Sequence, residues 1–137
     1  MNFKLDHIGW ITNDLDKFEY FWCRGLGFKK VWEANIMPEK VKQLFGIERV
    51  TRAMRYKKED IIIEIHTFDP PLEDETNKFD RFGINHIGLW VADREAFIAD
   101  LKERVYVSVE RYYDPSGWWN IFIRDLEGNW IEVRTKL

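Results

Sequence analysis

The sequence predicts an α+β fold: two tandem βαβββ modules forming a curved eight-stranded mixed sheet around a cleft. Three observations predict it. First, a histidine motif is written twice. Leu5-Asp6-His7-Ile8-Gly9 returns as Ile84-Asn85-His86-Ile87-Gly88, 79 residues on, and the same offset carries Asp14 onto Asp93, Asp16 onto Glu95 and Phe18 onto Phe97. Second, a glutamate motif is written twice. Ile62-Ile63-Glu64-Ile65-His66-Thr67 matches Trp130-Ile131-Glu132-Val133-Arg134-Thr135, 68 residues on. Third, the apolar residues between these motifs switch from a period of two to a helical period and back, in the same order in each half. An internal repeat of this kind marks a duplicated structural unit.

The elements follow in order. Residues 3–12 alternate, with Phe3, Leu5, His7, Gly9 and Ile11 on one face and Lys4, Asp6, Ile8 and Trp10 on the other, which predicts a strand. Asn13 or Asp14 then caps a helix running to about Arg24. Leu15, Phe18, Phe21 and Trp22 form its apolar stripe, and Gly25 and Gly27 end it. A second strand spans 28–33. Residues 34–48 form an insertion. Pro38 suits a first helical turn, Val41, Leu44 and Phe45 give an apolar stripe, and Gly46 stops it. His7 to Glu64 spans 57 residues but His86 to Glu132 only 46, so the second half lacks this piece. It is either a partial lid on a binding site or a plain surface helix. Residues 49–57 and 60–67 form a hairpin, and the Pro-containing, polar stretch 69–81 is a linker. The second half runs strand 83–92, helix 93–103, then strands 105–113, 118–124 and 129–136, with turns at Gly117 and Gly128. The expected organisation is one domain of two modules, 1–68 and 82–137. A half of this size cannot bury both faces of its own sheet, so two halves share one surface.

Composition narrows the function classes. At 137 residues the chain is long enough for a real core. Its net charge is −3 with Lys and Arg scattered, which excludes a basic nucleic-acid stripe. Aromatic residues make up 16%, consistent with a large apolar core or an aromatic-lined pocket. The single Cys23 excludes an intrachain disulfide and a paired-cysteine metal site. There is no apolar run of the ~18 residues that a transmembrane helix needs. A signal-peptide pattern is absent as well, so a cytoplasmic protein is expected.

The repeat also locates the chemistry. Each module opens with a histidine strand and closes with a glutamate strand. Glu64 interrupts an otherwise apolar run, and a buried carboxylate is costly unless paired or bound to a cation. Two imidazoles and two carboxylates, His7, Glu64, His86 and Glu132, suit one divalent transition metal such as Zn, Ni, Mn, Co or Fe. Alone, each of the four has a plain reading, as a satisfied core histidine or an ion-paired strand glutamate. Their duplication in register favours the metal. His66 shares the face of Glu64 and reads as an orienter, a pocket wall or an exposed histidine. Arg134 is its counterpart beside Glu132 and reads as a substrate-anion site or a salt-bridge partner. Ile11, Trp90, Trp118, Trp119 and Trp130 are candidates for an apolar wall or for core. Arg49, Arg52 and Arg55 are candidates to reach an anion, but a spacing of three splits them between strand faces.

These residues resemble the vicinal oxygen chelate superfamily. That group includes glyoxalase I, methylmalonyl-CoA epimerase, extradiol dioxygenases, fosfomycin-resistance transferases and bleomycin-resistance proteins. The matching segments are Leu5-Asp6-His7-Ile8-Gly9, Phe18-Glu19-Tyr20-Phe21-Trp22, Leu26-Gly27-Phe28, Ile63-Glu64-Ile65 and Asn85-His86-Ile87-Gly88, with Arg124 to Glu132 as a variant of the family's closing motif. In that variant Leu126 stands where the family usually has proline. His7, Glu64, His86 and Glu132 look like the His-Glu-His-Glu ligand set of glyoxalase I. The epimerase commonly has Gln at the second position. Extradiol dioxygenases and fosfomycin transferases use two His and one Glu.

The resemblance implies a metal-dependent lyase or isomerase that moves a proton through an enediolate on a small oxygenated substrate. Glu132, or else Glu64, is the expected base. It also implies a homodimer, with the modules paired within one chain or swapped between two. Two alternatives belong to other classes: a non-haem Fe(II) dioxygenase of the extradiol type, and a non-catalytic protein that binds a small molecule such as an antibiotic.

Overall fold

The computed structural model describes residues 2–73, 83–113, 115–116 and 119–135. Gly117 and Trp118, and most of the linker 69–81, therefore lie outside the described residues. The chain runs β1 (Ile8–Ile11), α1 (Leu15–Phe18), a π-helical segment (Glu19–Gly25), β2 (Lys29–Ile36), α2 (Pro38–Phe45), β3 (Val50–Lys58) and β4 (Ile61–Asp69). It continues β5 (His86–Trp90), α3 (Arg94–Arg104), β6 (Ser108–Tyr113), β7 (Trp119–Arg124) and β8 (Trp130–Arg134). The α+β class and the eight strands are those expected, and they hydrogen-bond as two four-stranded sheets. Their orders are β1-β4-β3-β2 and β5-β8-β7-β6. In each, the first strand runs parallel to the last and the other pairs are antiparallel. The two sheets are thus topological copies, as the repeated motifs require.

Two compact units emerge, residues 1–15 with 27–74 and residues 16–26 with 75–137. In the first, period-two alternation sorts β4 cleanly. Ile63 and Ile65 are fully buried on one face, in register with Tyr56 and Met54 of β3. Glu64 and His66 lie on the other face. The expected strand 3–12 shortens to four residues, because its ladder with β4 covers only Ile8 to Ile11. Phe3 and Leu5 before it are exposed. Alternation reveals which residues share a face but not where the partner strand stops.

The insertion does hold a helix. Pro38 occupies its first turn, where a missing N–H costs nothing. Gly46 takes the left-handed conformation, φ 71°, and its N–H closes on Lys42 O at 2.9 Å. Of the expected stripe only Val41 is buried, while Leu44 and Phe45 stay 60% and 53% exposed. Eight residues of helix cover β3 with one side chain rather than a full stripe. Phe45 instead reaches across to the histidine described below.

In the second unit, residues 16–26 and α3 lie together. Phe18, Phe21 and Trp22 are buried, with Trp22 stacked at 5.9 Å on Phe18 and edge-on at 5.6 Å to Phe21. The helix widens into π-type turns after Phe18, which sequence period alone does not reveal. Asp93 caps α3, its Oδ1 accepting from Ala96 N at 3.0 Å. Gly25 marks the close approach. A Cβ there would stand 2.9 Å from Val105 Cγ2 and 3.0 Å from Leu101 Cδ1, both residues being buried. Gly25→Val is therefore expected to lose about 2 kcal/mol by overpacking. Urea unfolding followed by circular dichroism checks this, and wild-type stability would show that the approach is not tight. The β-sheet core of this unit is Ile121, Ile123, Ile131 and Val133, all fully buried. No helix among the described residues is long and apolar enough to cross a membrane.

Candidate functional site

The repeat builds the same small arrangement in each unit. In the first, the parallel ladder sets Gly9 of β1 opposite Glu64 of β4, with His7 just before the strand. In the second, Gly88 of β5 stands opposite Glu132 of β8, with His86 at the strand's start. A Cβ on either glycine would meet nothing within 4 Å, so the space beside each carboxylate is open. Each glutamate is mostly buried, with side chains 15% and 13% exposed, and each histidine is about one-third exposed.

Both imidazoles are oriented in the same way. His7 Nδ1 lies 2.7 Å from Asp6 Oδ2, which turns Nε2 toward Glu64 Oε1 at 3.9 Å. His86 Nδ1 lies 3.0 Å from Asn85 Oδ1, and its Nε2 stands 3.7 Å from Glu132 Oε2. The hydrogen bond to His7 holds the Asp6 carboxyl below the usual carboxylate range. An oxygen on Nδ1 selects the tautomer whose Nε2 lone pair is free, the form in which histidine binds metals. The Nε2-to-carboxylate gaps are too long for hydrogen bonds. Two ligands each roughly 2.1 Å from a tetrahedral metal are about 3.4 Å apart, so a modest adjustment of each pair fits a shared ion. Among the described residues no three His, Cys, Asp or Glu side chains form a ready metal cage. The donors come as pairs.

Around these pairs the units differ. Glu64 is in register with Arg55 of β3, whose Nε donates to Oε2 at 2.6 Å. Arg55 in turn pairs in register with Trp32 of β2 and lies 5.7 Å over its ring. His66 Nε2 stands 3.4 Å from Glu64 Oε1, and Phe45 of α2 meets its ring edge-on at 5.8 Å. Burial pushes the His66 pKa down against the opposing pull of Glu64. The insertion thus touches the glutamate-bearing face of the first sheet. Ile11, in register with His66, is 47% exposed.

In the second unit the residue in register with Glu132 is Phe122. His86 meets Phe122 edge-on at 5.5 Å, and Phe122 meets Trp130 at 5.6 Å. Arg124 covers Trp130 at 3.8 Å and pairs with Glu110. Arg134 Nη1 stands 3.7 Å from Glu132 Oε2, an ion-pair distance without a hydrogen bond. Trp90, its register partner, is 66% exposed. Trp90, Val91, Ala92 and Thr135 line a cavity of about 300 Å³. Trp119 alternates away from Glu132, packing under Arg94 at 3.7 Å and on Tyr113 at 5.6 Å, so it is not a wall beside that carboxylate.

The structure therefore brings His7, Glu64 and His66 together in one unit, and His86, Glu132 and Arg134 in the other. Asp6, Asn85 and Phe122 carry no role in the sequence expectation, and Arg55 stands there only as one of three arginines split between strand faces. For the first two a signal was present, since an oxygen-bearing side chain precedes the histidine in both copies. The other two become visible only through the strand register.

The family model described as Glyoxalase/Bleomycin resistance protein/Dioxygenase superfamily matches residues 6–121. No curated protein shows a significant sequence match. Among solved structures, a glyoxalase family protein from Bacillus cereus is similar with a TM-score of 0.76 at 18% identity, over 100% of this chain and 96% of that one. The trypanothione-dependent glyoxalase I of Leishmania major gives 0.68 at 19%, over 98% and 87%. The fosfomycin resistance protein FosX of Listeria monocytogenes, complexed with Mn(II) and sulfate, gives 0.63 at 15%, over 100% and 95%. At such identities these likenesses speak for the fold.

Proposed function

The chain belongs to the glyoxalase/bleomycin resistance protein/dioxygenase superfamily, and we propose that it is a metal-dependent lyase or isomerase of the glyoxalase I or epimerase type, acting on a small oxygenated substrate. The observation that carries this reading is the duplicated pair itself: in both units a histidine with Nδ1 tied to a neighbouring oxygen turns Nε2 toward a mostly buried glutamate. A histidine held in this way is set up to offer Nε2 to a metal, and the repeat presents one in each unit. His7, Glu64, His86 and Glu132 are the proposed ligands, and the donor set suits Zn, Ni, Mn, Co or Fe. The Mn(II) complex of the Listeria protein supports a divalent ion in this fold.

When bound, the metal supplies Lewis-acid stabilisation of negative charge growing on a substrate oxygen. The chain does the rest. Glu132 takes a proton from the neighbouring carbon and returns it. His66, on the same face as Glu64, offers a hydrogen bond. Arg134 and Trp90 flank the substrate on the Glu132 side. The proposed enzyme is a cytoplasmic homodimer.

The test is metal content. The protein is purified without a metal-affinity tag and bound metals are measured by plasma mass spectrometry, alongside His7→Ala and Glu132→Ala. Zn, Ni, Mn or Co bound to wild type and depleted in both variants is the expected result. Iron in that place would favour the dioxygenase. No metal after soaking would overturn the reading and leave a binding protein.

A further inference from the structure

The two glutamates occupy equivalent positions, yet their surroundings are not equivalent. Arg55 Nε donates to Glu64 Oε2 at 2.6 Å, and this leaves Oε1 facing His7 Nε2 at 3.9 Å and His66 Nε2 at 3.4 Å. The guanidinium is itself held, lying over Trp32 in a row that crosses β2, β3 and β4 in register. It also bears electrostatically on Asp6, whose carboxylate sets the His7 ring. At the corresponding place in the second sheet stands Phe122, which has nothing to donate. Among the described residues the Glu132 carboxylate accepts no hydrogen bond, and Arg134 stands 3.7 Å from its Oε2.

We propose that Arg55 is the positioning residue for Glu64, fixing it as an immobile carboxylate ligand, whereas the equivalent Glu132 carboxylate has no such tether among the described residues. This rests on the metal reading above. A carboxylate whose Oε2 is taken by a guanidinium offers one oxygen in one orientation, so it is pre-organised to ligate. To swing away it must first break a charge-assisted bond. Among the described residues the Glu132 carboxylate has no such bond to break. The division of labour between base and ligand is therefore written in one register position of each sheet, Arg in one and Phe in the other. Outer-sphere partners of this kind typically change metal affinity by about 10–100-fold when removed.

The test uses Co(II) as the probe on metal-stripped protein, so it needs no substrate. Its affinity is measured by chelator competition and its coordination by visible absorption. The variants are Arg55→Met, Arg55→Lys, Glu64→Gln and, as a control on the same strand, Arg52→Met, whose partner is Glu33 rather than Glu64. Arg55→Met is expected to weaken Co(II) binding about 10–100-fold and to shift the absorption bands in the direction that Glu64→Gln shifts them. Arg55→Lys is expected to recover part of both, and Arg52→Met to match wild type. A purely structural Arg55 would lower the melting temperature without moving the bands. Wild-type affinity and bands in Arg55→Met, with both altered in Glu64→Gln, would overturn the proposal while sparing the metal reading. Unaltered binding in Glu64→Gln would overturn both. Should Arg55→Met not fold, Arg55→Gln takes its place with the same two outcomes.

Discussion

Glu132→Gln is expected to keep the fold and most of the bound metal while turnover falls about 10²–10⁴-fold, the range a positioned general base contributes. The substitution is nearly isosteric, and the site tolerates it. The Glu132 side chain is 13% exposed, lies in register with Phe122 and accepts no hydrogen bond among the described residues, so the change to an amide deprives no neighbouring donor of its acceptor. What the amide cannot do is take a proton at neutral pH. Glu64→Gln should behave differently. Its amide would present a donor or lose an acceptor against Arg55, disturbing a bond of 2.6 Å, so affinity for the metal falls along with turnover. The readouts are exchange of the substrate's carbon-bound proton with deuterated solvent, followed by NMR, and metal content of the same samples. A Glu132→Gln enzyme with unchanged exchange would remove Glu132 as the base. Loss of exchange only together with metal would make it a ligand and nothing more.

The parts of this site that sequence disclosed are those that duplication and alternation can carry. His7 and His86, and Glu64 and Glu132, stand at matched places in a repeat, and period-two alternation put Glu64 on the face opposite Ile63 and Ile65 and Glu132 on the face opposite Ile131 and Val133. The strand and helix order followed for the same reason. What stayed hidden depends on neighbours distant in sequence. Arg55 was one of three arginines spaced by three, and nothing in that spacing separates it from Arg49 or Arg52. The hairpin register does: it sets Arg55 on Glu64, while Arg52 pairs with Glu33 and Arg49 donates to the Pro70 and Pro71 carbonyls. The insertion was legible as a helix from Pro38 and Gly46, but the edge-on contact of Phe45 with His66 was not, because a helical stripe implies burial of all its members. The π-helical turns after Phe18 escaped for a related reason. Phe18, Phe21 and Trp22 satisfy the α period locally, so the spacing does not reveal the widening.

The largest loss of stability is expected away from the glutamates, at Asp125. Its carboxylate is the hub of the turn between β7 and β8. Oδ1 accepts from Glu127 N at 3.0 Å and from Asn129 N at 2.9 Å. Oδ2 accepts from Asn129 Nδ2 at 2.8 Å and from the indole of Trp22 at 3.3 Å. Asp125 is 6% exposed and Trp22 is 1% exposed, so the bond between residues 103 apart in sequence is out of water. Four donors therefore converge on one buried anion, which explains the sequence Asp125-Leu126-Glu127-Gly128-Asn129 better than turn propensity does. Gly128, at φ 80°, closes the turn with its N–H on Asp125 O at 3.1 Å. Asp125→Ala strands all four donors, and buried polar groups left unpaired cost about 1–3 kcal/mol each before solvent reaches the exposed ones. A total of at least about 3 kcal/mol is expected, with the melting temperature down by roughly 10 °C for a chain of this size. Asp125→Asn separates the two halves of the hub. Its oxygen can still serve the two backbone donors, but its amide then faces the donors of Trp22 and Asn129. It should lose less than alanine yet clearly more than an ordinary surface substitution. Urea unfolding with Trp fluorescence reads both variants. A loss below about 1 kcal/mol in Asp125→Ala would mean that water replaces the carboxylate freely and that the Trp22 contact contributes little to holding residues 16–26 in their unit.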